Sequence, residues 1–224
     1  AIPMDMLPLG DEQIGGDYPH MYWKYGQKIL AAARIVQRHP NLYPVYITNF
    51  GCGPDSFIMK FFERELKGKP CLVLEVDEHS ADVGAITRCE AYLDSLKNVR
   101  ALHPDGIKKV RAGKFKFDLH AGERRRKLYI PYMDDHGYAL AAAIRANGVD
   151  AVQMPMADQR TIELGRKVTS GKECYPCIIT TGDILRQVER SDFDAERAAF
   201  FMPTAFGPCR FGQYNKFQRM VLDD

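Results

Sequence analysis

The chain has 224 residues, of which 46% are hydrophobic, and its charges nearly balance at a formal net charge of +2. This length and composition allow a buried core in one large or two small domains. The small net charge gives no global electrostatic reason to bind nucleic acid or a membrane surface. No apolar run approaches the roughly 20 residues that span a bilayer, and no signal peptide is recognisable. We therefore expect a cytoplasmic protein with neither nucleic-acid nor membrane partners.

Six cysteines are spaced unevenly along the chain. In the absence of a secretory signal, such cysteines favour reduced thiols, metal ligands or catalysis over a disulfide framework. Two of them, Cys71 and Cys89, lie in apolar and helical patterns, where we expect packed side chains. The chain begins at Ala1 rather than methionine, which indicates processing or a piece of a longer polypeptide.

The first half of the chain alternates helical and extended patterns. Residues 21–36 and 57–66 carry apolar stripes with helical spacing, and residues 87–96 predict a further helix. Residues 45–47 and 71–76 are apolar runs that predict two parallel strands. This order of elements is typical of an α/β protein with a mostly parallel sheet.

The turn after the first predicted strand contains Cys52, within residues 51–55. Open α/β sheets place their ligand sites at the carboxyl ends of their strands. Asp55 or Ser56 can cap the helix that follows, and the dipole of that helix would stabilise a thiolate at Cys52. Cys52 is therefore the first candidate functional residue.

A basic segment at residues 98–127 separates this region from the next. A nucleic-acid patch would require organised phosphate contacts and interleaved aromatic residues, so we interpret the segment as an inter-domain linker. The pattern restarts after it. Residues 128–131, 137–146 and 149–152 predict a βαβ unit, and a short helix is predicted at residues 161–167.

Three further cysteines lie in loops rich in glycine and proline, where we expect chain segments to leave strands. Cys174 and Cys177 form a Cys-x-x-Cys motif, and Cys209 follows a strand predicted at residues 198–203. Thiolates in such loops suit iron–sulfur clusters or zinc, but no histidine pair has the spacing of a zinc site. The residues alone leave three roles open for these cysteines: ligands of a metal cluster, a thiol redox pair, or unligated thiols. No general acid or base stands out.

Long stretches of both halves carry a specific resemblance, which covers nearly the whole chain outside the linker. These stretches are Ile47–Phe57, Leu74–Arg88, Ser170–Pro176, Thr180–Asp183 and Phe201–Tyr214. They resemble the large CoA-substrate-specific enzyme activases, which are relatives of the 2-hydroxyacyl-CoA dehydratase and benzoyl-CoA reductase system. The resemblance implies two flavodoxin-like (Rossmann-like) three-layer α/β subdomains with mostly parallel sheets. Residues 1–97 would be the C-terminal part of a first dehydratase-like half, and residues 128–224 the start of a second.

The resemblance also implies a function and a ligand set. The expected function is an iron–sulfur electron-transfer module of an ATP-dependent activase or reductase, which delivers low-potential electrons to an acyl-CoA-type or other hard-to-reduce substrate. By position, Cys52, Cys174 and Cys209 resemble ligands of a 4Fe-4S cluster in the parent protein. Cys177 stands where the family commonly has an apolar residue, which puts its role in doubt.

The implied partners follow from the same resemblance. The chain contains neither a glycine-rich phosphate loop nor the activator's own cysteine pair, so ATP-binding activator domains, expected in the same polypeptide, would drive the reaction. Lys172 and Arg210, which neighbour the candidate ligands, can tune the cluster charge or contact an anionic substrate. The alternative is a non-catalytic docking domain with incidental thiols. We expect the chain alone to be inactive, and a homodimer stays open.

Overall fold

The computed structural model describes residues 1–77, 79–102 and 126–224. The described residues before residue 103 form one compact unit, unit 1, and those from residue 126 form another, unit 2. Each unit combines helices with a small parallel sheet, which confirms the predicted α/β class.

Unit 1 is built on a two-stranded sheet. Its elements are α1 Lys24–Arg38, β1 Val45–Thr48, α2 Asp55–Leu66, β2 Leu72–Glu75 and α3 Asp82–Leu102. β1 and β2 pair in parallel with Val45 opposite Leu72, as the apolar runs predict. Helix α1 packs on α2, and Leu30, Phe57 and Phe61 are fully buried in the core.

Unit 2 is built on a three-stranded sheet in the order β4-β3-β5, with all strands parallel. Its elements are β3 Lys127–Ile130, α4 His136–Ala146, β4 Ala151–Gln153, α5 Gln159–Val168, α6 Tyr175–Val188, β5 Ala198–Phe200 and α7 Tyr214–Asp223. The predicted βαβ unit corresponds to β3, α4 and β4. A short 3₁₀ helix, Arg210–Gln213, leads into α7.

Helices α5 and α6 cross at unusually short range because two glycines meet the facing backbone. A Cβ atom at Gly165 would collide with the carbonyl oxygen of Ile178, and one at Gly182 would collide with that of Thr161. Only glycine allows two helix backbones to approach this closely. The crossing fixes α6, whose first turn contains Cys177.

The predicted linker, residues 98–127, lies mostly outside the described residues. At its two ends, residues 98–102 complete α3 and Lys127 begins β3. None of the helices in the described ranges is long and apolar enough to cross a bilayer.

Candidate functional site

Cys52 lies in a tight turn between β1 and α2, at the carboxyl end of the strand as predicted, and its side chain is exposed. We call residues 49–54 the Cys52 turn. Within it, Phe50, Gly51 and Gly53 have φ angles of 60°, 61° and 59°. The two glycines adopt this left-handed conformation without strain, whereas it costs Phe50 about 1–2 kcal/mol.

The carboxylate of Asp55 holds the Cys52 turn against the strand. It accepts hydrogen bonds from the hydroxyls of Tyr46, at 2.9 Å, and Thr48, whose Oγ1 also accepts from the Gly51 amide at 3.2 Å. Burial raises the pKa of Tyr46, and the charge of Asp55 raises it further. The predicted side-chain cap of α2 is wrong, because Pro54 stands at the N-cap without a side-chain bond and Asp55 bonds to β1 instead.

Unit 2 brings its candidate cysteines to one buried tyrosine. Cys174 is half-buried at the N-cap of α6, and Cys177 is fully buried in the first turn. Cys209 is exposed just before the 3₁₀ helix that leads to Tyr214. The pKa of Tyr214 is raised by burial, by a hydrogen bond with the Cys174 side chain, and by the charges of Cys174, Cys177 and Cys209. We call these four residues the Tyr214 thiol group.

A second contact joins the two loops that hold Cys174 and Cys209. The guanidinium of Arg210 donates a hydrogen bond from Nη1 to the carbonyl oxygen of Lys172, at 3.1 Å. The two bonded residues are close neighbours in sequence of Cys209 and Cys174, respectively. Cys174 and Cys209 therefore belong to one local arrangement, although α6 and β5 separate them along the chain.

Cys177 is the least accessible thiol of the group. Burial raises its pKa to about 12, and the Thr181 hydroxyl and the Arg210 charge only partly oppose this effect. Its sulfur lies 4.0 Å from Thr181 Oγ1. Without a bound metal, Cys177 is therefore a protonated, buried thiol at neutral pH.

The loop before Cys174 is fixed by a buried carboxylate. Glu173, which is 6% exposed, accepts hydrogen bonds from the amide and the hydroxyl of Ser170, each at 3.0 Å to Oε2. Gly171 between them has a φ of 84°, which favours glycine. The loop connects α5 to α6, so the prediction that Cys174 and Cys177 lie where a loop leaves a strand is wrong.

Sequence reasoning missed Tyr214 and Asp55 as organising residues. Tyr214 begins a helical stripe with Phe217 and Gln218, all three of which are buried, so the pattern indicated a buried tyrosine. A buried tyrosine hydroxyl usually finds a hydrogen-bond partner. The pattern could not show that this partner is a cysteine.

The residue types present fit a thiolate-bound metal group in their chemistry, since soft thiols suit iron–sulfur clusters. Cys174 and Cys209 would supply two ligands in unit 2, and Cys52 is the candidate ligand in unit 1. Among the residues that the structure describes, no group of three or more His, Cys, Asp or Glu side chains is arranged to hold a metal ion.

Comparisons with family models, curated proteins and solved structures found no match for this chain.

Proposed function

We propose that the chain is an iron–sulfur electron-transfer module, in which Cys174, Cys209 and Cys52 are ligands of 4Fe-4S-type chemistry. The observation that carries the proposal is the convergence of Cys174 and Cys209 on Tyr214, together with the hydrogen bond that joins their loops. A half-buried thiol that is hydrogen-bonded to Tyr214 and an exposed thiol near the same tyrosine suit ligation better than packing does. When bound, such a cluster accepts and gives up single electrons.

The surroundings of the thiols would set the potential of that cluster. Arg210 brings a positive charge to the group, and the Tyr214 hydroxyl hydrogen-bonds to the Cys174 sulfur. A positive charge near a cluster and hydrogen bonds to its sulfur ligands both favour the reduced, more negative state of that cluster. These two residues therefore support electron acceptance, while Cys174 and Cys209 hold the metal.

The resemblance supplies the rest of the proposal. Electrons would come from ATP-binding activator domains, expected in the same polypeptide, and would pass to an acyl-CoA-type or other hard-to-reduce substrate in anaerobic metabolism. The thiols stay reduced in the cytoplasm, which is where we propose that the protein works.

Anaerobic reconstitution with iron and sulfide tests the proposal. We expect a brown protein whose visible absorption and iron content fall in Cys174→Ser and Cys209→Ser and also in Cys52→Ser. Cys71→Ala and Cys89→Ala, which remove thiols outside the two sites, are the matched controls and should retain both signals. If the protein never binds stoichiometric iron, the cluster is excluded and a docking domain with incidental thiols is favoured.

A thiol redox pair is the second candidate, and one observation favours it. Cys174 is half-buried at the N-cap of α6 while Cys177 is fully buried three residues later, an order that suits an attacking and a resolving thiol. Cys177→Ala separates the two candidates. It should abolish a Cys174–Cys177 disulfide in glutathione buffers, yet leave iron binding intact if Cys177 is not a ligand.

A further inference from the structure

A cavity of about 390 Å³ lies where α5 ends and α6 begins. It is lined by Arg166, Thr169, Ser170, Gly171, Tyr175 and Ile178. Its volume falls in the range of small-molecule sites, about 300–1,000 Å³. No cysteine lines the cavity, although Tyr175 directly follows Cys174 in the chain.

The lining is cationic because Arg166 is not neutralised. Within the described ranges, Arg166 has no carboxylate partner, and the first turn of α6 adds no acidic side chain. The carboxylate of Glu173, in the adjoining loop, is buried and already accepts the hydrogen bonds of Ser170. A guanidinium in this position can donate two parallel hydrogen bonds to a phosphate or carboxylate.

The other residues of the cavity lining favour a ligand whose remaining part is apolar rather than polar. The Thr169 hydroxyl donates to the Gly165 carbonyl at 2.9 Å, and the Ser170 hydroxyl donates to Glu173. Both hydroxyl protons are therefore in use. The ring of Tyr175, which is 53% exposed, leaves an aromatic surface for contact, whereas the side chain of Ile178 lines the cavity but is only 5% exposed.

We propose that this cavity binds a small organic anion that joins one phosphate or carboxylate group to a flat apolar ring. Arg166 binds the anionic group, Tyr175 stacks on the ring, and Ile178 contacts its edge. The site goes beyond the electron-transfer proposal, since none of its lining residues is a candidate cluster ligand.

Titration of the metal-free full chain with phenyl phosphate tests the site, with inorganic phosphate and phenol as matched probes. We expect phenyl phosphate to bind at least about tenfold more tightly than either probe, because it engages both Arg166 and the ring. Arg166→Ala should weaken binding by about tenfold or more, as expected for the loss of a charge-assisted pair. Lys167→Ala removes an equal charge from the next residue of α5, outside the lining, and should change binding by less than about twofold.

Equal losses of affinity for phenyl phosphate in Arg166→Ala and Lys167→Ala would overturn the proposal, since they would indicate non-specific attraction to a basic surface. Equal binding of phenyl phosphate and inorganic phosphate would overturn the role of Tyr175, which Tyr175→Ala tests directly. Circular dichroism of each variant shows that it is folded. Because the titration uses metal-free protein, its outcome is independent of iron binding. Failure of the anion-site proposal therefore leaves the electron-transfer proposal intact, and the reverse also holds.

Discussion

The two cysteine sites differ in what holds them in place. The Cys52 turn is fixed by backbone conformation and by one carboxylate, Asp55, and its thiol is exposed. The Tyr214 thiol group is fixed by packing, since the α5–α6 crossing places α6 and the buried Tyr214 hydrogen-bonds to Cys174. A substitution in the core of unit 2 should therefore displace all the unit 2 thiols together. The position of Cys52 should change only when residues of the Cys52 turn or Asp55 are substituted.

The largest effect should come from Gly182→Ala, because the new methyl group would meet the backbone of α5. Overpacking of this kind costs about 1–3 kcal/mol, and we expect the upper end because the obstacle is backbone. Chemical denaturation of the full chain measures the loss of stability. Gly84→Ala is the matched control, since Gly84 lies in α3 with open space around it, and alanine there should stabilise the helix by up to about 1 kcal/mol.

The α5–α6 contact should also depend on pH through Asp183. This side chain is fully buried, and its Oδ1 accepts from Thr161 at 3.0 Å and lies 3.4 Å from the Arg186 guanidinium, which also pairs with Asp158. No described residue hydrogen-bonds to Oδ2. Burial raises the pKa of Asp183 to about 6, and the charge of Asp158 adds to this, while Thr161 and Arg186 oppose it.

The sign of the pH effect follows from this raised pKa. The folded state holds the Asp183 proton up to about pH 6, whereas the unfolded state releases it near the ordinary carboxyl pKa of 3.8. Unit 2 should therefore lose stability as the pH rises from about 4 to 6, by about 2 kcal/mol. Other carboxylates titrate in the same range, so the measurement is the difference between wild type and Asp183→Asn. A difference that stays constant over this range would show that Asp183 does not bind the proton.

In unit 1 the corresponding test is Asp55→Ala. The substitution leaves the hydroxyls of Tyr46 and Thr48 without their acceptor, and we expect it to cost about 1–2 kcal/mol. Alkylation of Cys52 should become faster as its turn loosens, with alkylation of Cys174 unchanged. Asp94→Ala, which removes only an exposed ion pair with Lys97, should cost at most about 0.5 kcal/mol. An unchanged Cys52 rate in Asp55→Ala would show that the backbone alone holds the turn.

Periodicity predicted the elements that have one clear apolar face, such as α2 and the three strands of unit 2. It failed at the start of α6, where Pro176 and β-branched residues give no helical stripe. These residues are poor helix formers, and the crossing through Gly165 and Gly182 stabilises the helix instead. The position of Cys52 followed from local sequence. The grouping of Cys174 with Cys209 depends on contacts between distant segments, which no local pattern contains.

The smallest effect should come from Tyr214→Phe, which keeps the ring and its edge contact with Phe211, at 5.2 Å between centroids, and removes only the hydroxyl. Loss of its hydrogen bond to Cys174 should cost about 1 kcal/mol. Without this bond the Cys174 sulfur is no longer occupied by a hydrogen bond, so alkylation of Cys174 should become faster while that of Cys52 stays constant. Tyr138→Phe, at an exposed position of α4, should change neither rate. If alkylation of both cysteines became faster by the same factor, the hydroxyl would act on the whole fold, and the distinction between the two sites would be wrong.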